Sequence, residues 1–109
     1  MAEVKSQTKM PDSIKVGPHS YAIFRKSSSE IGRKNLGHCD TAKLEIWILQ
    51  RIKKSKAQET LLHEILHACT HPLMVQGGYH ADEEFVTEVA PPLLHVLQEN
   101  PELISYLTS

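Results

Sequence analysis

The first half of the chain carries its apolar residues in short runs that are typical of β-strands. Two runs, SIKV at 13–16 and SYAIFR at 20–25, flank a Gly-Pro turn signal and contain β-branched and aromatic residues. A third run, KLEIWILQ at 43–50, alternates apolar residues with a period of two and has a second face that is also partly apolar. The polar stretch between them, at 26–37, is interpreted as a loop or an irregular hairpin arm. The pattern predicts about three strands.

The second half of the chain changes to the apolar spacing of helices. Ser55 and Gln58 match a capping box at the start of a helix. Pro72 predicts its end, because the residue before a proline is pushed out of the helical region. The apolar face of this helix is expected to be formed by Leu62, Leu66 and Cys69, with Leu61, Ile65 and Ala68 beside them.

Two further helical segments are predicted near the end of the chain. DEEFVTEVA begins a second helix near residue 82, which Pro91 and Pro92 are expected to interrupt or kink. Pro101 is expected to start a short final helix. Together the elements predict an α+β fold, in which a small antiparallel sheet packs on two main helices.

Length and composition indicate one domain of an ordinary globular protein. Residues 1–12 are polar and predict a flexible N-terminal tail, which leaves residues 13–109 for the domain. The formal net charge of -1 argues against a nucleic-acid partner, and the basic run RIKKSK at 51–56 is interpreted as a solvated connector. The oligomeric state is not predicted.

Three observations favour the cytoplasm. No apolar run approaches the roughly 18 residues of a membrane span, so no membrane partner is expected. The N-terminal residues lack the apolar stretch of a secretory signal. Two cysteines, Cys39 and Cys69, are too few for a disulfide framework.

The stretch LLHEILHACTH at 61–71 carries the candidate chemistry. His63 and His67 are four residues apart on the predicted helix, so both rings project from one face. Two neutral ring nitrogens can then bind one zinc ion at about 2.0 to 2.1 Å. Glu64 lies next to the first histidine, where its carboxylate can take a proton from a zinc-activated water.

A third zinc ligand is sought on the second helix, since catalytic zinc normally has three protein ligands. Glu83 is the favoured candidate, because a carboxylate that extends the apolar stripe of that helix needs a partner. His71 lies one further turn along the first helix and is expected beside the site rather than on the metal. Three other residues remain open as the third ligand: Asp82, Glu84 and His80.

The segments HEILHACTH and DEEFVTEVAPPLL, with LGHCDTAKLEIWI before them, resemble the small HExxH zinc metallopeptidases of the gluzincin type, the ImmA/IrrE family and its phage-encoded relatives. The resemblance covers about residues 36–104. It implies a minimal zincin fold, with His63, His67 and Glu83 on the zinc and Glu64 as the general base. It also implies that the strand at 44–49 accepts an extended peptide by edge pairing.

The sequence thus predicts a zinc metallopeptidase in which an activated water attacks a carbonyl of a peptide or protein substrate. Tyr79 and His80 are candidates for a hydrogen bond to the developing oxyanion, although an ordinary exposed loop explains them equally well. The chief alternative is a non-catalytic zinc-bearing module that binds a partner in the same cleft. Hydrolysis of RNA is a weaker alternative. Another zinc site, structural and of the Cys2His2 type, could comprise His38, Cys39, Cys69 and His71.

Overall fold

The protein is a small α+β structure. A computed structural model describes residues 9–75 and 83–109, and for residues 72–75 and 83–87 it describes the backbone only. The elements follow in the order β1 (Ser13–Val16), β2 (His19–Lys26), α1 (Ser28–Ile31), β3 (Gly37–Asp40), β4 (Glu45–Leu49), α2 (Lys54–Val75), α3 (Glu83–Glu99) and α4 (Pro101–Leu107). None of these helices is long and apolar enough to cross a membrane.

The sheet has four strands in the order β1-β2-β4-β3. The β1–β2 and β3–β4 pairs are antiparallel, but β2 and β4 are parallel, so the prediction of three antiparallel strands was wrong. The strand that the sequence did not reveal is β3, whose four residues GHCD show no apolar alternation. Because β4 is paired on both sides, it has no free edge, and the expected edge pairing at 44–49 is excluded.

The polar stretch before β3 contains a short helix where a loop was predicted. The backbone N–H of Ser27 donates to Glu30 Oε1 at 2.8 Å, as part of the capping box at the start of this helix. The capping box predicted for α2 was wrong, because Gln58 Nε2 instead donates to the carbonyl of Tyr106 at 2.7 Å. That bond attaches the C-terminal helix to the first turns of α2.

The core lies between one face of the sheet and the helices. Ile46 and Ile48 are fully buried, as are Leu61 and Ile65 of α2. Leu62 was expected on the apolar face of α2 but is 37% exposed, so the buried face is centred on its neighbour Leu61. The fully buried Val96 of α3 and Leu103 of α4 join the same core.

Prolines interrupt the helices less than their local chemistry predicts. The expected end of the first long helix at Pro72 was wrong, since α2 continues to Val75. Pro91 and Pro92 both lie inside α3. A proline costs one backbone hydrogen bond, and packing of the neighbouring turns can offset that cost. The final helix begins at Pro101, as predicted.

The segment that leads into β1 contacts the core. Met10 packs against the core residues and Pro11 is buried. The carbonyl of Asp12 accepts a hydrogen bond from the backbone N–H of Ile23 at 2.8 Å. Residues 10–12 are therefore attached to the sheet.

Candidate functional site

The histidines of α2 face a cleft between this helix and the edge strand β3. The cleft has a volume of about 440 Å³. Four of the seven histidines of the chain line it. The lining residues are Asn35, Gly37, His38, Cys39, Thr41, His63, Glu64, His67 and His71.

The rings of His63 and His67 lie close together at the surface of the cleft. Their Nε2 atoms are 3.2 Å apart, and their ring centroids are 4.9 Å apart. Two ligands of a tetrahedral zinc ion, each about 2.0 to 2.1 Å from the metal, are separated by roughly 3.3 Å. The two nitrogens are therefore spaced as two ligands of one zinc ion would be. Both side chains are exposed, so a metal can reach them.

Glu64 lies on the inner side of the histidine pair. Its residue is only 5% exposed, although it is charged in its ordinary state. Burial raises the pKa of its carboxyl, and the nearby His63, His67 and His38 oppose that rise when they are protonated. A carboxylate that is poorly hydrated and has a raised pKa is a better proton acceptor than an exposed one.

Glu64 also lies against β3. A Cβ atom built on Gly37 would be 2.8 Å from Glu64 Oε2. The carboxylate thus lies directly beside the backbone of the edge strand.

The described side chains do not by themselves complete a zinc site. Within residues 9–71 and 88–109, no three His, Cys, Asp or Glu side chains are grouped so that they could hold a metal ion. The Cys2His2 alternative is therefore wrong, and Cys69 is instead a core residue that is 4% exposed. Cys39 is half-buried and packs against the same core.

The remaining predicted site residues fall at or beyond the limits of the described part. Glu83 is the first residue of α3, but its side chain and that of Glu84 lie outside the described residues. Tyr79, His80 and Asp82 lie outside them altogether. His71 is described, and its exposed side chain lines the cleft. Because α2 continues past it to Val75, His71 is not at the helix C-terminus.

The backbone of β3 directs towards the cleft polar groups that have no partner among the described residues. The carbonyl of Leu36 accepts from the N–H of Leu49 at 2.8 Å, which fixes the hydrogen-bonding register of the β3–β4 pair. In an antiparallel pair such bonds alternate, so the N–H and C=O groups of Gly37 and Cys39 point away from β4. Throughout the described part of the chain, no hydrogen bond is made to these groups.

The sequence did contain one signal for β3. The Asp40 carboxylate accepts hydrogen bonds from the backbone N–H groups of Ala42 and Lys43, at 3.0 and 2.9 Å. An aspartate that binds the backbone two residues later marks a turn, and such a turn before EIWIL predicts a hairpin. The importance of Gly37 and Cys39 for the candidate site could not be predicted from the sequence, because it depends on their position across from α2.

No family model matches the chain, and no curated protein or solved structure is significantly similar to it.

Proposed function

We propose that the protein is a zinc-dependent peptidase whose site lies in the cleft between α2 and β3. The observation that carries this proposal is the histidine pair, whose Nε2 atoms are 3.2 Å apart beside the buried Glu64. A structural site with two histidines does not require a buried carboxylate as its neighbour. A hydrolytic site does, because the attacking water must lose a proton.

The proposed metal ligands are His63, His67 and Glu83. The third is the residue that the resemblance to HExxH peptidases implies, and it stands at the start of α3, which packs against α2. When bound, zinc would lower the pKa of a water molecule and polarise the carbonyl of the substrate. The fold around these residues would then be a minimal zincin, with α2 as the active-site helix.

Glu64 would act as the general base. It would accept a proton from the attacking water and pass it to the nitrogen of the leaving amine as the peptide bond breaks. Its burial supports this role, because a carboxylate held out of bulk water keeps a raised pKa.

The substrate would bind as an extended peptide along β3. The outward N–H and C=O groups of Gly37 and Cys39 could pair with its backbone as a further strand pairs with a sheet edge. Such pairing would bring the peptide alongside Glu64, which lies against Gly37.

The test begins with zinc and then removes the base. Elemental analysis of protein purified without added metal should find about one zinc per chain, and Glu83→Gln should weaken zinc binding in competition with a chromophoric chelator. A peptide library should identify a substrate for the wild type. Glu64→Gln should keep zinc and fold and lower the cleavage rate by about 100- to 10,000-fold. Glu102→Gln, at an exposed position of α4, is the matched control and should leave cleavage unchanged.

The same variants separate the peptidase from a zinc-bearing binding module. If the wild type cleaves nothing in the library and Glu64→Gln leaves its biological effect intact, the binding module is the correct function. A protein that contains no zinc and takes none up on titration would contradict both functions.

A further inference from the structure

Gly37 occupies a strand position at which the backbone does not require glycine. It lies in β3 opposite Ile48 and, unlike Gly17 and Gly32, it does not have a positive φ. A glycine inside a strand is destabilising relative to alanine, because it loses more conformational freedom on folding. Its value must therefore come from the space that it leaves.

Two side chains of α2 fill that space. A Cβ atom at position 37 would lie 2.8 Å from Glu64 Oε2, 3.1 Å from Glu64 Cγ and 2.8 Å from Thr60 Cγ2. Real Cβ atoms essentially never show contacts below 3.0 Å, so both the Glu64 carboxylate and the Thr60 methyl group would have to give way.

The two side chains differ in their freedom to move. Thr60 is 6% exposed, and its hydroxyl donates to the carbonyl of Lys56 at 2.7 Å. The Glu64 side chain borders the open cleft, so it can turn away from β3 without disturbing the core. A side chain at position 37 would thus displace the carboxylate of Glu64 into the cleft.

We propose that Gly37 is a positioning residue, whose missing side chain lets the Glu64 carboxylate lie against the edge strand in the position from which it acts as a base. This role rests on the proposed peptidase function. Gly37 acts through Glu64, in addition to any contact that its backbone makes with substrate.

The test compares Gly37→Ala with the double variant Gly37→Ala/Thr60→Ser in the full-length chain. Serine keeps the hydroxyl that bonds Lys56 but lacks the methyl group that the new Cβ would meet. The double variant therefore relieves the clash between helix and strand and leaves the clash with Glu64. Thr60→Ser alone is the control and should retain wild-type activity.

We expect both variants with alanine at position 37 to bind one zinc per chain with wild-type affinity. On the library-selected peptide their kcat should fall by about 10- to 100-fold, with KM changed by no more than about twofold. The melting temperature of the double variant should lie above that of Gly37→Ala. Recovery of kcat in the double variant would overturn the proposal, because the glycine would then serve only helix–strand packing. Full activity in Gly37→Ala would overturn it as well.

A crystal structure of the double variant makes the result independent of peptidase activity. A Glu64 carboxylate displaced from its wild-type position supports the positioning role even if the wild type cleaves no peptide, in which case only the proposed function fails. A carboxylate that keeps its wild-type position overturns the positioning role, whatever the activity.

Discussion

The two edges of the sheet differ in whether a side chain forms hydrogen bonds with the backbone of the edge strand. At the β1 edge, the side chain of Asn100 pairs with the strand: the N–H of Lys15 donates to its Oδ1, and its Nδ2 donates to the carbonyl of Lys15, both at 3.0 Å. Nδ2 also donates to the carbonyl of Val96 at 2.8 Å. At the β3 edge, the outward groups of Gly37 and Cys39 have no such partner among the described residues.

Asn100 shows that this small fold can cover a strand edge with a single side chain. The small size of the protein therefore does not by itself explain why no described residue pairs with the outer edge of β3. An asparagine side chain carries the same amide group as a peptide bond, so Asn100 occupies the place of a neighbouring strand at β1. Unpaired strand edges favour aggregation, and proteins usually cover them. Here the edge covered by Asn100 lies away from the candidate site, and the edge that no described residue covers borders the carboxylate of Glu64. This arrangement supports the proposal that β3 pairs with a peptide substrate.

The largest expected effect concerns the thiol of Cys39, which lies on the inward face of the open edge. Burial, with smaller contributions from Glu64 and Asp40, raises its pKa to about 11 from the usual 9.0. A raised pKa keeps the thiol protonated, so at pH 8 the thiolate fraction should be roughly 100-fold lower than for an ordinary cysteine. We expect iodoacetamide to modify Cys39 in the zinc-free protein roughly 100-fold more slowly than a cysteine-containing peptide.

Peptide mapping by mass spectrometry distinguishes Cys39 from Cys69. The rate at Cys39 should rise about tenfold for each pH unit above 8 until the pH approaches the pKa of about 11. Rapid modification at pH 8 would show that the edge strand opens, and that its side chains as well as its backbone are available to solvent.

A smaller effect, on peptide cleavage, is expected when a substitution removes a backbone donor from the β3 edge and keeps the hydrogen bonds of the sheet. The N–H of Cys39 points away from β4, so Cys39→Pro removes a donor that the sheet does not use. If substrate pairs with this edge, kcat/KM on the selected peptide should fall at least tenfold while zinc stays bound. A tenfold fall corresponds to a loss of about 1.4 kcal/mol in interaction free energy. Cys39→Ala, which loses the thiol but keeps the donor, should cleave the peptide at close to the wild-type rate. Equal activity of the two variants would exclude pairing at Cys39.

The sequence was sufficient for those features that depend on local pattern. The apolar runs located β1, β2 and β4, and the spacing of His63 and His67 correctly predicted that their rings share one face of a helix. Pairing partners could not be read from the same pattern, because a strand such as GHCD carries almost no local signal. In sequence β3 comes between β2 and β4, but in the sheet it lies on the far side of β4. The chain runs back along β3 and then turns into β4, which therefore lies beside β2 and parallel to it.

The buried position of Glu64 depended on contacts that are distant in sequence. Its neighbour Gly37 comes from β3, and the closeness of the two residues results from the packing of α2 on the edge strand. The motif led to Glu64 as the proposed base, but it did not predict that a glycine would lie across from it. Similarly, the contacts of Asn100 with Lys15, 85 residues away, could not be anticipated from its place before Pro101.

The smallest expected effect is on the free energy of unfolding, when the pairing of Asn100 with the β1 edge is removed. Asn100→Ala removes the two bonds to Lys15 and the bond to Val96. Water can reach the exposed Lys15 and replace part of what is lost, so we expect the free energy of unfolding to fall by only about 1 to 2 kcal/mol. The Asn100 side chain makes no capping bond to α4, so this loss reports on the β1 edge and on the bond to Val96, and not on the start of α4.

Urea unfolding measures this change, with Gln98→Ala on the exposed face of α3 as the control for a lost amide that has no hydrogen-bond partner among the described residues. Peptide cleavage by Asn100→Ala should equal that of the wild type at temperatures where both are folded, because β1 and β3 lie on opposite edges of the sheet. Loss of cleavage in the folded variant would mean that the two edges are coupled through β2 and β4. An unchanged free energy of unfolding would mean that water serves the β1 edge as well as Asn100 does, and the contrast between a covered and an open edge would then have no energetic basis.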